Sequence, residues 1–140
     1  MAGLVVVDAS IWVSWLVTDD VFHAASRRWF AQHAAADGQW VAPVLMLAEV
    51  VGAISRRTSK PDLASRTLAD LLRFPGLRLV ALDRRLGREA AELAASAGLR
   101  GADAVYAALA RHLSIPLITW DVELRQRAGD TLEVIQPPAN

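Results

Sequence analysis

The chain has 140 residues, no cysteine, and 15 basic against 15 acidic residues, so its formal net charge is zero. This length predicts one domain with a sizeable core, and a hydrophobic content of 54% excludes a disordered chain. The lack of cysteine excludes disulfides and thiolate metal sites, and the balanced charge argues against a general nucleic-acid-coating protein.

Strands and helices alternate along the whole chain. The predicted strands are residues 4–7, 40–42, 77–82, 116–119 and 132–135, and the predicted helices are residues 9–17, 21–36, 43–57, 63–74, 84–97, 101–113 and 121–127. We place Pro43 in the first turn of the third helix, and Asp83 and Gly98 at the two ends of the fifth. This alternation predicts right-handed crossovers and an α/β fold with a mostly parallel sheet of four to five strands.

Three of the five tryptophans, Trp12, Trp15 and Trp29, fall on the first two predicted helices, where we expect core or oligomer contacts. No apolar run approaches the roughly 18–20 residues of a membrane span. The first residues also lack the pattern of a secretory leader. We therefore expect a cytoplasmic protein that does not associate with membranes.

An acid follows the first predicted strand directly. The run Leu4–Val7 is apolar and mostly β-branched, which is typical of a strand buried on both faces, and Asp8 comes next. Ligands of open α/β sheets collect outside the carboxyl ends of the strands. Asp8 is therefore the first candidate for an active site, and Asp121, two residues after the fourth predicted strand, is placed in the same way.

Two further acids lie on predicted helices among apolar neighbours. The residues three and four positions from Glu49 are all apolar or glycine, which favours an acid that lines a site over a solvated surface residue. Asp103 has Tyr106 and Ala107 at the same spacing. Simpler interpretations remain open, because Asp103 and Asp121 would both also serve as helix N-caps.

Four carboxylates brought together would repel one another unless protons or a cation neutralised them. Two unit charges about 4 Å apart repel by about 4 kcal/mol at an effective dielectric constant of 20. With oxygen ligands only, the set favours Mg²⁺ or Mn²⁺, and such an ion orients water against a phosphodiester. Ser10 and Thr119 would then support a carboxylate or a bound water, with ordinary turn hydroxyls as the alternative.

Four segments resemble the acidic motifs of PIN-domain nucleases, and more narrowly those of VapC-type toxins of bacterial toxin–antitoxin systems. They are Val-Val-Asp-Ala-Ser (6–10), Leu-Ala-Glu-Val (47–50), Gly-Ala-Asp-Ala-Val-Tyr-Ala-Ala-Leu-Ala (101–110) and Leu-Ile-Thr-Trp-Asp (117–121). By this resemblance Asp8, Glu49, Asp103 and Asp121 take the acidic positions of the family, and Asp83 does not.

The resemblance covers nearly the whole chain and implies a single PIN domain over residues 1–140, with a three-layer α/β/α fold. It also implies Mg²⁺- or Mn²⁺-dependent RNA cleavage, a homodimer, and inhibition by a VapB-like antitoxin whose tail covers the acidic cleft. Asp8, Asp103 and Asp121 would hold the metal, and Glu49 would bind it through water or position the attacking water.

The sequence departs from the family pattern at a few positions. Gly52 stands where many relatives have Asn, and Ser114 replaces a Gly that often precedes the fourth strand. Val122 and Glu123 follow Asp121, where relatives often have basic residues. The expected consequences are a missing polar contact near Glu49 and weaker contact with an RNA backbone beside Asp121.

Arg56 and Arg57 are the best candidates for contacts with RNA phosphates, because they end the helix that carries Glu49. The alternative function is a non-catalytic interaction module whose acids only cap helices and which binds no Mg²⁺ or Mn²⁺. A phosphatase-like hydrolase would need a second acid two residues after Asp8, where Ser10 stands.

Overall fold

The computed structural model describes residues 3–139, which contain five strands and seven helices. The strands are β1 (Leu4–Val7), β2 (Gln39–Pro43), β3 (Leu77–Val80), β4 (Leu117–Ile118) and β5 (Val134–Ile135). The helices are α1 (Ala9–Leu16), α2 (His23–Ala35), α3 (Leu45–Thr58), α4 (Pro61–Leu72), α5 (Arg84–Ala97), α6 (Gly101–Leu113) and α7 (Val122–Ala128).

All five strands lie parallel in one sheet, in the order β3-β2-β1-β4-β5. The helices flank this sheet, so the prediction of a three-layer α/β/α fold with a mostly parallel sheet is confirmed. From β1 the chain builds outward to β3 on one side, then places β4 and β5 on the other. The strand order therefore reverses between β1 and β4, and ligands of such sheets bind at the carboxyl ends beside this switch point.

Helix α6 forms the centre of the packing. It lies against β1, β2 and β4, with α5 packed on it, and every residue from 104 to 110 is buried. Four of these seven residues are alanines, whose small side chains let the helix approach the sheet closely. The amino-terminal end of α6, which carries Asp103, is thereby fixed near the carboxyl ends of the strands.

The early tryptophans pack in the core, as predicted. Trp12 is fully buried, and the ring centroids of Trp12, Trp15 and Trp29 lie 4.7–5.2 Å from that of Phe30. These separations are in the favourable range for aromatic pairs. The cluster joins α1 to α2, and α1 in turn packs against α3.

Several predicted element boundaries differ from the structure. Pro43 belongs to β2, where it pairs with Val80, and α3 begins two residues later. Proline has no N–H group to donate, and the ladder to β3 continues with the N–H group of Val44, which donates to the carbonyl of Val80 at 2.8 Å. At the start of α2, the side chain of Asp20 accepts from the N–H group of Phe22, so the helix begins at His23.

No helix within residues 3–139 combines the length and the apolar content of a membrane span.

Candidate functional site

Asp8 lies where β1 ends and α1 begins, and its carboxylate is buried. Its Oδ2 atom accepts hydrogen bonds from Ser10 Oγ at 2.7 Å and from Thr119 Oγ1 at 2.8 Å. The backbone N–H group of Ser10 also points to this oxygen, at 3.4 Å. Burial raises the pKa of Asp8, and these hydrogen bonds oppose the rise because they favour the ionised carboxylate.

The ends of β1 and β4 are joined through two hydroxyl groups. Thr119 Oγ1 donates to Asp8 and accepts from the N–H group of Asp121 at 3.0 Å. Ser10 Oγ donates to Asp8 and accepts from the N–H group of Trp120 at 3.1 Å. The two residues predicted to support the carboxylates therefore connect the two strand ends that carry acids.

Asp121 caps α7, as one of the open interpretations proposed. Its Oδ1 atom accepts from the N–H groups of Glu123 at 2.9 Å and Leu124 at 3.2 Å. The side chain of Glu123 pairs with Arg127, one turn along the same helix. Asp121 nevertheless also lines the large cleft described below, so capping and a role in a site are compatible.

Glu49 extends from α3 and is only partly buried, in a setting that differs from a solvated helix surface. Its Oε1 atom accepts a hydrogen bond of 2.7 Å from the hydroxyl of Tyr106, a fully buried residue of α6. Burial raises the pKa of Glu49, the hydrogen bond from Tyr106 opposes this, and the charge of Asp8 adds to it. Glu49 is therefore electrostatically linked to the end of β1.

Asp103 occupies the third position of α6, and the interpretation of Asp103 as the N-cap is wrong. The N-cap is Arg100, whose extended backbone precedes the first helical residue. The pKa of Asp103 is raised to about 6, first by burial and then by the negative charges of three other acids, with a small opposing effect of Arg100. Those three acids are Asp8, Asp121 and Glu49.

The structure thus brings the four predicted acids within electrostatic reach of one another. They come from four places in the chain: the ends of β1 and β4, the middle of α3 and the start of α6. Asp83 does not belong to this group. It is exposed and caps α5, accepting from the N–H group of Leu86 at 2.9 Å.

The donor set suits a hard divalent ion, but the spacing does not form a closed cage. Every available ligand is a carboxylate or hydroxyl oxygen, which Mg²⁺ and Mn²⁺ prefer. Within residues 3–139, no three His, Asp or Glu side chains are placed to hold one ion directly. By the chemistry of their donor atoms the residues fit such an ion, and Mg²⁺ in proteins commonly keeps several waters.

A cleft of about 700 Å³ opens beside the acids. Its lining residues are Ala9, Ser10, Val13, Asp20, Phe22, Ala48, Glu49, Ala53, Arg56, Arg57, Trp120 and Asp121. Both arginines predicted to contact RNA are in this lining. Arg57 pairs with Asp20, with 2.7 Å between Nη1 and Oδ2, whereas Arg56 has no ion-pair partner within residues 3–139.

Four residues of this region were not predicted as members of a site: Tyr106, Phe22, Trp120 and Asp20. Tyr106 could have been found, because it follows Asp103 by three residues and so shares its helix face. Trp120 directly precedes Asp121. Phe22 was predicted within the second helix, but it lies with Asp20 in the loop between α1 and α2, which brings both residues to the cleft.

The chain matches the PIN domain family over residues 5–130. It belongs to the PIN-domain family. The four acids of the site therefore lie in a PIN domain, at the carboxyl edge of its sheet. A comparison with curated proteins found no match.

Several solved structures share the PIN fold of this chain. VapC20 from Mycobacterium tuberculosis, a toxin that cleaves the sarcin–ricin loop, matches with a TM-score of 0.79 at 20% identity, over 96% of this chain and 99% of VapC20. VapBC2 from Rickettsia felis, bound to a DNA fragment from its promoter, matches with a TM-score of 0.72 at 14% identity, over 96% and 99%. A toxin–antitoxin complex from Klebsiella pneumoniae matches with a TM-score of 0.68 at 14% identity, over 96% and 98%. At these identities the likeness establishes the fold.

Proposed function

We propose that this PIN domain is a metal-dependent endoribonuclease of the VapC type, the toxin of a toxin–antitoxin pair. The observation that carries the proposal is the junction of two strand ends, where Thr119 Oγ1 donates to Asp8 Oδ2 and accepts from the N–H group of Asp121. The charges of Asp8, Asp121 and Glu49 also raise the pKa of Asp103, which supports a cluster of four carboxylates at this edge of the sheet. Such a group is stable in its ionised form only with a bound cation, because the charges otherwise repel.

Asp8, Asp103 and Asp121 are the proposed ligands of a Mg²⁺ or Mn²⁺ ion, directly or through water. When bound, the ion would offset the repulsion among these carboxylates and withdraw charge from a phosphodiester. Ser10 and Thr119 fix the orientation of Asp8 by hydrogen bonds to Oδ2. The carboxylate of Asp8 would therefore meet a bound ion in one fixed orientation.

Glu49 would position the water that attacks the phosphorus atom. Its carboxylate is fixed by the Tyr106 hydroxyl through Oε1 and would accept a hydrogen bond from that water through Oε2. As the water oxygen bonds to phosphorus, it gives up a proton to solvent, the bond to the leaving ribose oxygen breaks, and that oxygen takes up a proton from solvent. Orientation of this kind lowers the activation barrier, because the reacting groups are already held in position.

The proposed substrate is RNA, and Arg56 and Arg57 would contact its phosphates at the cleft. The VapC20 toxin, which shares the fold, cleaves the sarcin–ricin loop, and this supports RNA as the substrate class. We also propose a VapB-like antitoxin that covers the acidic cleft, because two other structures with this fold are VapBC2 and a toxin–antitoxin complex. We further propose that the protein is a homodimer in the cytoplasm.

RNA cleavage by purified protein tests the proposal. We expect Mg²⁺ or Mn²⁺ to support cleavage and a chelator to stop it. Asp8→Asn and Asp103→Asn should abolish cleavage while circular dichroism shows an unchanged fold. Asp130→Asn is the matched control, because Asp130 is exposed and precedes β5, at the opposite edge of the sheet.

Two results would contradict the proposal. If Asp8→Asn and Asp103→Asn cleave as fast as the wild-type protein, the carboxylates have no part in the reaction. If titration calorimetry detects no Mg²⁺ or Mn²⁺ binding and no RNA is cleaved, the alternative of a non-catalytic interaction module is correct.

A further inference from the structure

One wall of the cleft is aromatic. The ring of Phe22 stacks on the indole of Trp120, with 4.1 Å between ring centroids and 7° between the planes. Both residues line the cleft, but Trp120 is only 6% exposed, whereas Phe22 is partly exposed. Phe22 is therefore the aromatic surface of the pair that a ligand in the cleft would touch.

This aromatic wall is held by hydrogen bonds on both members. The indole N–H group of Trp120 donates to Ser26 Oγ at 2.8 Å, and its backbone N–H group donates to Ser10 Oγ. The backbone N–H group of Phe22 donates to Asp20 Oδ1 at 2.8 Å, and Oδ2 of the same carboxylate accepts from Arg57. A fixed aromatic face binds at lower entropic cost than a mobile one.

The same cleft contains the guanidinium of Arg56, which forms no ion pair within residues 3–139. Arg56 lies one turn after Gly52 on α3, and its Nη1 atom is 3.1 Å from the point where a Cβ atom of residue 52 would stand. Glu49, Gly52 and Arg56 thus share one face of α3. Because Arg57 is neutralised by Asp20 and Arg56 has no ion-pair partner within residues 3–139, Arg56 is the cation available to an anionic ligand.

We propose that the cleft binds one unpaired nucleotide of an RNA strand, with its base stacked on Phe22 and its phosphate at Arg56, beside the carboxylates. The inference rests on the proposed function and adds a residue that recognises the substrate, Phe22 as the surface on which one base stacks. An aromatic face, a cation and small apolar walls together match a base and its phosphate. A base within a duplex is already stacked on both faces and does not fit this arrangement.

Steady-state cleavage of a short single-stranded RNA tests this inference. Stacking of a base on an aromatic side chain is worth about 1–3 kcal/mol, so Phe22→Leu should raise KM about tenfold while kcat changes little. Phe22→Tyr keeps the ring and should restore the wild-type KM. Arg56→Ala should also raise KM, and annealing a complementary strand to the RNA should suppress cleavage by the wild-type protein.

The outcomes separate this inference from the proposed function. If the wild-type protein cleaves the RNA and Phe22→Leu leaves KM unchanged, the inference is wrong and the nuclease assignment stands. A lower kcat with unchanged KM would mean that Phe22 only supports Trp120, which also overturns it. If Phe22→Leu weakens capture of a partner protein but not RNA cleavage, the cleft wall binds a protein. If the wild-type protein cleaves no RNA, the proposed function fails first.

Discussion

The hydroxyl of Tyr106 donates a hydrogen bond of 2.7 Å to Oε1 of Glu49, and so connects α6 to α3 beneath the candidate site. Burial, the hydrogen bond to Glu49 and the nearby acids raise the pKa of Tyr106 far above its ordinary value. The phenol is therefore protonated at neutral pH and donates to Glu49. One oxygen of Glu49 is thus fixed by a partner that does not titrate.

Replacing this donor should reduce activity without disrupting the fold. Tyr106→Phe keeps the buried ring and removes the hydroxyl, so Glu49 loses its orientation. Loss of such a supporting hydrogen bond typically costs about 10–100-fold in metal affinity or activity. We expect kcat for RNA cleavage to fall by about tenfold, together with weaker Mn²⁺ binding by titration calorimetry.

A double-mutant cycle isolates this interaction. In a Glu49→Gln background, Tyr106→Phe should have little further effect, because the carboxylate that the hydroxyl orients is absent. If the two substitutions instead reduce the rate independently, Tyr106 acts through the packing of α6 and not through Glu49. Urea unfolding of each variant provides the check on stability.

The Thr119 hydroxyl should matter for stability as well as for the site. Thr119→Val keeps the shape but removes the donor to Asp8 and the acceptor for the N–H group of Asp121. Groups that are left unsatisfied in the interior cost about 1–3 kcal/mol each, so we expect a lower free energy of unfolding by about 2 kcal/mol. Thr119→Ser retains the hydroxyl and is the matched control. A loss in Thr119→Ser as large as that in Thr119→Val would mean that packing at this position, and not the hydrogen bonds of the hydroxyl, determines the stability.

The acids could be predicted from sequence because each violates a local expectation. Asp8 follows four apolar strand residues, and the residues three and four positions from Glu49 are all apolar or glycine. The strand order, by contrast, follows from the whole parallel sheet, and only this order places β1 beside β4. The sequence indicated which acids belong to the site, whereas the strand order of the sheet brings the ends of β1 and β4 together.

The partners of these acids depend on contacts that no local pattern encodes. Arg57 and Asp20 lie 37 residues apart in the chain, and their ion pair forms through a loop and a helix end. This ion pair neutralises Arg57 but not Arg56, although the sequence offered no reason to distinguish the two arginines. Pro43 shows the same limit, since its place in β2 depends on pairing with β3.

The pKa of Asp103 predicts a pH dependence of stability for the metal-free protein. Its pKa is about 6 in the folded state against an ordinary value of 3.8, so folding takes up a proton between these values. The contribution to stability is present below pH about 4 and is lost as the pH rises through 6. At pH 7.5, Asp103→Asn should therefore raise the free energy of unfolding, by about 1 kcal/mol after solvent screening is taken into account.

Thermal unfolding at two pH values measures this effect. We expect the stability gain of Asp103→Asn to be present at pH 7.5 and to be clearly smaller at pH 4.5. Mn²⁺ should stabilise the wild-type protein at pH 7.5 and should stabilise Asp103→Asn less. Asp130→Asn, away from the cluster, should show neither effect, and an equal gain in that variant would attribute the change to net charge.

The two neighbouring arginines should differ in RNA binding. Removing one cation that neutralises a phosphate reduces the slope of log K against log salt by about 0.7 for a single strand. Arg56→Ala should produce this change because its guanidinium has no ion-pair partner within residues 3–139, whereas Arg57→Ala should change the slope less. Fluorescence anisotropy with labelled RNA in the presence of a chelator measures both slopes. Identical slopes for the two variants would mean that Asp20 releases Arg57 when RNA binds.

Gly52 offers a final test, because a side chain at this position would meet Arg56. In the interior of a helix, Gly→Ala stabilises by about 0.5–1 kcal/mol. A Cβ atom at residue 52 would meet Arg56 Nη1 at 3.1 Å, whereas one at Gly87, inside α5, would meet nothing within 4 Å. Gly87→Ala should therefore show the full gain in the free energy of urea unfolding.

Gly52→Ala should show a similar gain, because the guanidinium of Arg56 is the flexible end of a long side chain and moves aside at little cost. A net loss at Gly52 alone would mean that the guanidinium is fixed in the cleft, and the KM of Gly52→Ala for RNA should then rise together with that of Arg56→Ala.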